Sequence, residues 1–136
     1  MNTTYFLNLV AGNVYKTQTT PAIPTTLYIG LSTSTPTVDG SNVTEPSTAA
    51  NYARVQLSSL TIPSAGAVTN STDINFNEST ANWGTVTYFV IYDSATVGSG
   101  NLLQYGALST ARSVEAATIM TIKAGYLNLS AQNPST

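Results

Sequence analysis

Few residues in this chain could carry chemistry. It has no His and no Cys, six acidic residues and four basic ones. Catalysis near neutral pH needs a group that titrates there or an activated nucleophile, and the commonest of both are missing. The carboxylates are Asp39, Glu45, Asp73, Glu78, Asp93 and Glu115. Two carboxylates suffice for glycoside hydrolysis, but no pair here is marked as a buried acid beside an ionised base. Asp39-Gly40 and Asp93-Ser94 stand at turn signals, so they read as turn formers and solubilising groups. Asp39-Gly40-Ser41-Asn42 faintly resembles a calcium loop but lacks the 12-residue run of alternating oxygen ligands closed by Glu. The expectation is no enzyme: no catalytic residue, no cofactor and no metal.

The N-x-S/T sequons at Asn2, Asn42, Asn70, Asn77 and Asn128 arise by chance in a chain so rich in Asn, Ser and Thr. The tyrosines offer more. Tyr5, Tyr28, Tyr52, Tyr88, Tyr92, Tyr105 and Tyr126 could in part line a sugar-binding platform. At strand positions the plainer reading is core, or interface where one ring end stays wet. Lys16, Arg54, Arg112 and Lys123 are scattered, and such spacing makes no stripe to track a phosphate backbone. Nucleic acid is not an expected partner.

These residues need a frame, and composition bounds it. A chain of 136 residues makes about one domain with a real core. Only 7% of its residues are charged, against about a quarter in ordinary domains, and the net charge is −2. Thr, Ser and Asn supply the polarity instead. A hydroxyl-rich, β-branched, near-neutral chain points to an all-β domain whose copies repel one another weakly, as suits a part of an assembly. No apolar run reaches the ~18 residues of a membrane span. The first residues lack the positive n-region and cleavage site of a signal peptide.

The frame centres on residues 82–108. Residues 85–92, Thr-Val-Thr-Tyr-Phe-Val-Ile-Tyr, have the composition and length of a strand. Alternation puts Val86, Tyr88, Val90 and Tyr92 on one face, and Thr85, Thr87, Phe89 and Ile91 on the other. Trp83 shares the parity of the second set, which is expected to face the core. Both faces are substantially apolar, so both need cover. Residues 93–101 turn the chain, and 102–108 return with Leu103, Tyr105 and Ala107 as the greasier face.

Around this hairpin, residues 3–15 read as a short helix capped by Thr3 or Thr4, with Phe6, Leu9, Val10 and Val14 near a 3.6 period. Residues 17–26, with Pro21 and Pro24, read as a connector. Strands are expected at 27–32, 54–60, 67–70, 73–76, 119–122 and 126–129, with turns at 63–66 and 110–112. Residues 34–50 form a long loop of the kind that is functional or mobile. The pattern is an all-β fold, a β-sandwich or jelly-roll-like domain with a short N-terminal helix. It is divided into a helical segment (1–16), a β domain (17–131) and a frayed tail (132–136).

The order of several blocks carries a resemblance. The helix is followed by Pro-Thr-Thr-Leu-Tyr-Ile-Gly-Leu-Ser-Thr (24–33), then Asn51-Tyr52-Ala53-Arg54, then Asn82-Trp83-Gly84-Thr85-Val86-Thr87 running on to Asp93. Gly100-Asn101-Leu102-Leu103-Gln104-Tyr105-Gly106-Ala107-Leu108 and Ile122-Lys123-Ala124-Gly125-Tyr126-Leu127 close the set. In this order, across roughly residues 1–130, the chain resembles the small bacteriophage virion structural proteins known as tail fibre proteins. The resemblance implies a non-enzymatic virion part at the tail tip, in a fibre or decorating the capsid. It would be made in the bacterial cytoplasm without a signal peptide and partnered by other phage virion proteins.

By that resemblance a homotrimer is expected. The two-sided strand and the N-terminal segment place its interface at Tyr5, Phe6, Leu9, Val10, Tyr88 and Tyr92. The alternative is a carbohydrate- or host-receptor-binding module in which the 34–50 loop and some tyrosines contact host surface glycans.

Overall fold

In a computed structural model, the residues described are 1–15, 24–64 and 67–130. The chain runs α1 (Thr4–Val14), β1 (Leu27–Ser32), a 3₁₀ turn (Thr48–Ala50), β2 (Val55–Leu57), β3 (Leu60–Ser64) and β4 (Ala67–Asn70). It continues with β5 (Ile74–Asn75), β6 (Gly84–Tyr92), β7 (Leu102–Val114), β8 (Thr121–Ile122) and β9 (Asn128–Ser130). The protein is all-β apart from α1. The strands form three antiparallel sheets, with orders β2-β1-β6-β7, β3-β4-β9 and β5-β8.

One core lies between the four-stranded sheet and the two small ones. The large sheet contributes Ile29, Leu31, Val86, Phe89, Ile91 and Val114, and the small sheets contribute Ile74, Ile122 and Leu129. Trp83 is buried there and anchored twice: its backbone N–H donates to Val114 O, and its indole Nε1–H donates to Ala50 O at 2.9 Å. Tyr52 meets Trp83 edge-on with ring centres 5.3 Å apart.

Trp83, Phe89 and Ile91 thus occupy the core as their spacing predicts, but simple alternation fails between them. Val86 is fully buried in the same core, although it has the opposite parity. The change of face coincides with a register shift. Val86 lies opposite Arg112 and Tyr88 opposite Ala107, so residues 108–111 of β7 face the single Thr87. An insertion of this kind bends the strand that carries it and increases the local twist.

The same shift corrects the turn expected at 110–112: β7 continues through it to Val114. A second shift, between Ile91 and Tyr92, sets Leu102 opposite Tyr92. Leu102 and Tyr105, not Leu103, Tyr105 and Ala107, therefore share a face with Val90 and Tyr92. The expected 54–60 strand is interrupted into β2 and β3, which belong to different sheets.

The outer face of the large sheet carries the cluster of Val90, Tyr92, Leu102 and Tyr105. Part of its cover comes from a segment read as an outward loop: Val43 packs against it. The N-terminus supplies more. The Tyr105 N–H donates to Met1 O, the Thr3 N–H donates to Leu103 O, and α1 packs along β7. Thr3 Oγ1 accepts from the Phe6 N–H as the helix cap and donates to Leu102 O at 2.6 Å. The connector expected at 17–26 lies largely, and the 132–136 tail wholly, outside the described residues.

Candidate functional site

The six interface candidates do not form one patch. Leu9 and Tyr92 are buried within the chain. Tyr5, Phe6 and Tyr88 are half-buried, and Val10 is exposed. The apolar surface that α1 leaves open is a stripe of Leu7, Val10 and Val14, which are 50%, 38% and 63% exposed. Their spacing of three and four residues puts them on one helix face, while Leu9 and Gly12 are the helix's buried positions. The helix period read from the sequence, Phe6, Leu9, Val10 and Val14, mixes the two faces and leaves out Leu7, which lies with the exposed Val10 and Val14.

Arg54 and Glu45 form a clamp that sequence spacing did not show. Arg54 Nη2 lies 2.7 Å from Glu45 Oε2 and its Nε–H donates to Glu45 Oε1; the Arg54 side chain is fully buried. Nη1 donates to Ser94 O and Ser99 O, both at 2.8 Å, and the guanidinium sits 3.7 Å above the Tyr92 ring. The Tyr52 hydroxyl donates to Glu45 Oε1 and accepts the Leu31 N–H. Residue 30 must be Gly, because a Cβ there would stand 2.5 Å from the Tyr52 hydroxyl oxygen and 2.6 Å from Glu45 Oε1. Burial pushes the Tyr52 phenol pKa up, and the Glu45 charge beside it adds to the shift. The clamp is satisfied internally. It ties the 34–50 segment to the 93–101 turn and has no free group for catalysis.

Two other carboxylates, Asp39 and Asp93, hold turns. Asp39 accepts from the Ser41 hydroxyl and N–H and from the Thr37 hydroxyl, which pull its pKa down to about 2, the Ser41 hydroxyl most strongly. Asp93 accepts the Asn101 N–H at 2.7 Å and its side-chain amide at 3.0 Å. Asn70 is buried, donating to Thr72 O and Lys123 O and accepting the Leu127 N–H. Among the described residues, no group of three or more acidic side chains gathers where a metal could be held.

Two hollows remain. Tyr5 and Tyr28 line a shallow one with Asp93 and Asn101. The other is a groove of about 450 Å³ between the inserted part of β7 and residues 120–128. Its floor is apolar, formed by Phe89, Met120, Ile122 and Leu127, and its rim includes Arg112, Lys123 and Tyr126. Tyr126 is 73% exposed. The two basic residues, scattered in the sequence, are brought by the fold to the lining of one groove.

The fold defines a class: a small all-β protein of three antiparallel sheets with one N-terminal helix. The chain belongs to the Gp80 family, described as podophage GP4 fiber I protein gp80, which it matches over residues 2–130. It is a phage fibre structural protein in kind, in agreement with the resemblance carried by its sequence blocks. No curated protein matches the chain. No helix among the described residues is long and apolar enough to cross a membrane.

Proposed function

We propose that this protein is a building unit of a virion fibre, at the tail or on the capsid, that acts by assembling with copies of itself and holding its loops rigidly outward. The observation that carries the reading is the Leu7/Val10/Val14 stripe on a helix already packed on its other side, in a chain of a phage fibre family. Apolar side chains on both sides of a helix call for a neighbour. The clamp of Arg54 on Glu45 fixes the loop end of the unit, so that presentation is rigid. The chemistry is contact, not turnover.

Immunogold labelling of purified virions with antibody against this chain tests the reading. Gold on fibres at the tail or on the capsid surface is expected and separates the two locations. Virions that carry no label, and no such chain by mass spectrometry, would overturn it. A host-glycan contact is the second reading, favoured by one observation: Arg112 and Lys123, which make no ion pair among the described residues, share one groove.

A further inference from the structure

We propose that the groove between β7 and residues 120–128 is a binding site for a carboxylate-bearing oligosaccharide. The argument starts from a charge inventory. Three of the four basic residues lie among the described residues. Arg54 is buried in the chain's ion pair with Glu45. The other two, Arg112 and Lys123, are exposed, make no ion pair among the described residues, and line the same groove. No acidic residue lines it; Asp73, which accepts the Ala124 N–H, lies outside the lining. Among the described residues of this net-negative chain, the basic side chains outside that pair thus meet at one concavity.

The rest of the lining selects the chemical class. Ser109, Thr110 and Asn128 supply hydroxyl and amide groups, and Thr121, whose hydroxyl donates to Asn75 Oδ1, can still accept, as a ligand rich in hydroxyls requires. Tyr126 presents a mostly bare ring beside them, a face on which a sugar's C–H side can lie. Phe89, Met120 and Ile122 give an apolar floor. An acidic peptide would meet the same charges. One that docked by strand addition would need a regular edge, and β7 carries the insertion at residues 108–111; the hydroxyl and amide lining favours the sugar. The Tyr5/Tyr28 hollow is the weaker candidate, because its one charged group, Asp93, is already held by Asn101.

The site extends the glycan-contact reading, and it fails separately from the assembly reading, which is tested by label position and by mass. The experiment is calorimetric titration of the full chain with trigalacturonate and with an α2,8-linked sialic acid trimer, each beside its methyl ester. Saturable binding of at least one acid form is expected, weakened roughly tenfold or more in Arg112→Gln/Lys123→Gln, since two charge-assisted hydrogen bonds are lost. About 0.5 M salt should weaken it likewise, and Tyr126→Ala several-fold. Both substitutions fall on exposed side chains, so an unchanged thermal midpoint accompanies the loss. No binding of either acid form overturns the inference. So do equal binding of a methyl ester, full affinity in the double variant, or tighter binding of a tetraglutamate peptide.

Discussion

Arg54 shows what a single residue can organise when charge is scarce. Its guanidinium meets one carboxylate, two carbonyls and an aromatic face, so three separate chain segments converge on it. A buried pair earns its keep mainly when neither partner is removed, because the survivor is left charged and dry. Arg54→Met should therefore cost about 3–5 kcal/mol in urea denaturation, and a change under about 1 kcal/mol would show the clamp to be dispensable. Tyr52, beside the same carboxylate, makes a pH prediction. Its phenol pKa is raised in the folded state above the value near 10 of an unfolded tyrosine, with burial the main cause. Stability from this group is full below about pH 10 and is lost as the pH rises above it, because only the unfolded chain ionises there. The thermal midpoint should hold between about pH 7 and 9 and fall beyond 10, and the fall should be shallower in Tyr52→Phe. Ionisation of Tyr52 near 10 with the fold intact, followed by ultraviolet absorbance, would contradict this.

At the level of elements, the pairing of β6 with β7 decides most of the fold. Gly106 lies opposite Phe89, and a Cβ there would stand 2.6 and 2.7 Å from two atoms of the Phe89 ring. That ring is held in the core, so Gly106→Ala should force it aside at a cost of about 1–3 kcal/mol. A Gly106→Ala protein as stable as the parent would show the ring free to move. β6 was legible in the sequence because Thr-Val-Thr-Tyr-Phe-Val-Ile-Tyr is dense in strand formers. α1 was legible because Thr3 can cap and the apolar positions recur near 3.6. The far half of β7 was not, since Ser109, Thr110 and Arg112 look like turn residues and pair only because β6 lies alongside. Nor was the burial of Val86, which lies where the β6–β7 register shifts, a property of the pairing and not of either strand alone. The Arg54–Glu45 clamp and the shared groove of Arg112 and Lys123 join residues through the tertiary fold, and no local spacing encodes them.

For the whole molecule, the open question of cover reduces to α1. The outer face of the large sheet is largely closed by Val43, the clamp and the N-terminal residues, so the tyrosine-bearing face has less to offer a neighbour than its sequence implied. Among the described residues, the Leu7/Val10/Val14 stripe stays bare, and so does Val38, whose carbonyl accepts the Thr4 N–H at the helix start. An apolar helix stripe is the geometry by which helices of adjacent subunits pack around a shared axis, and the interface core so formed would carry no charge. The fibre resemblance favours a trimer. Light scattering at micromolar concentration should give a mass near three times the 14.2 kDa chain. The triple variant Leu7→Ser/Val10→Ser/Val14→Ser should give single chains that keep the parent's near-ultraviolet dichroism from buried Trp83, because the stripe faces away from the core. A parent protein that stays monomeric across that range would mean that the stripe is covered by a different virion protein, and the self-assembly reading would fall.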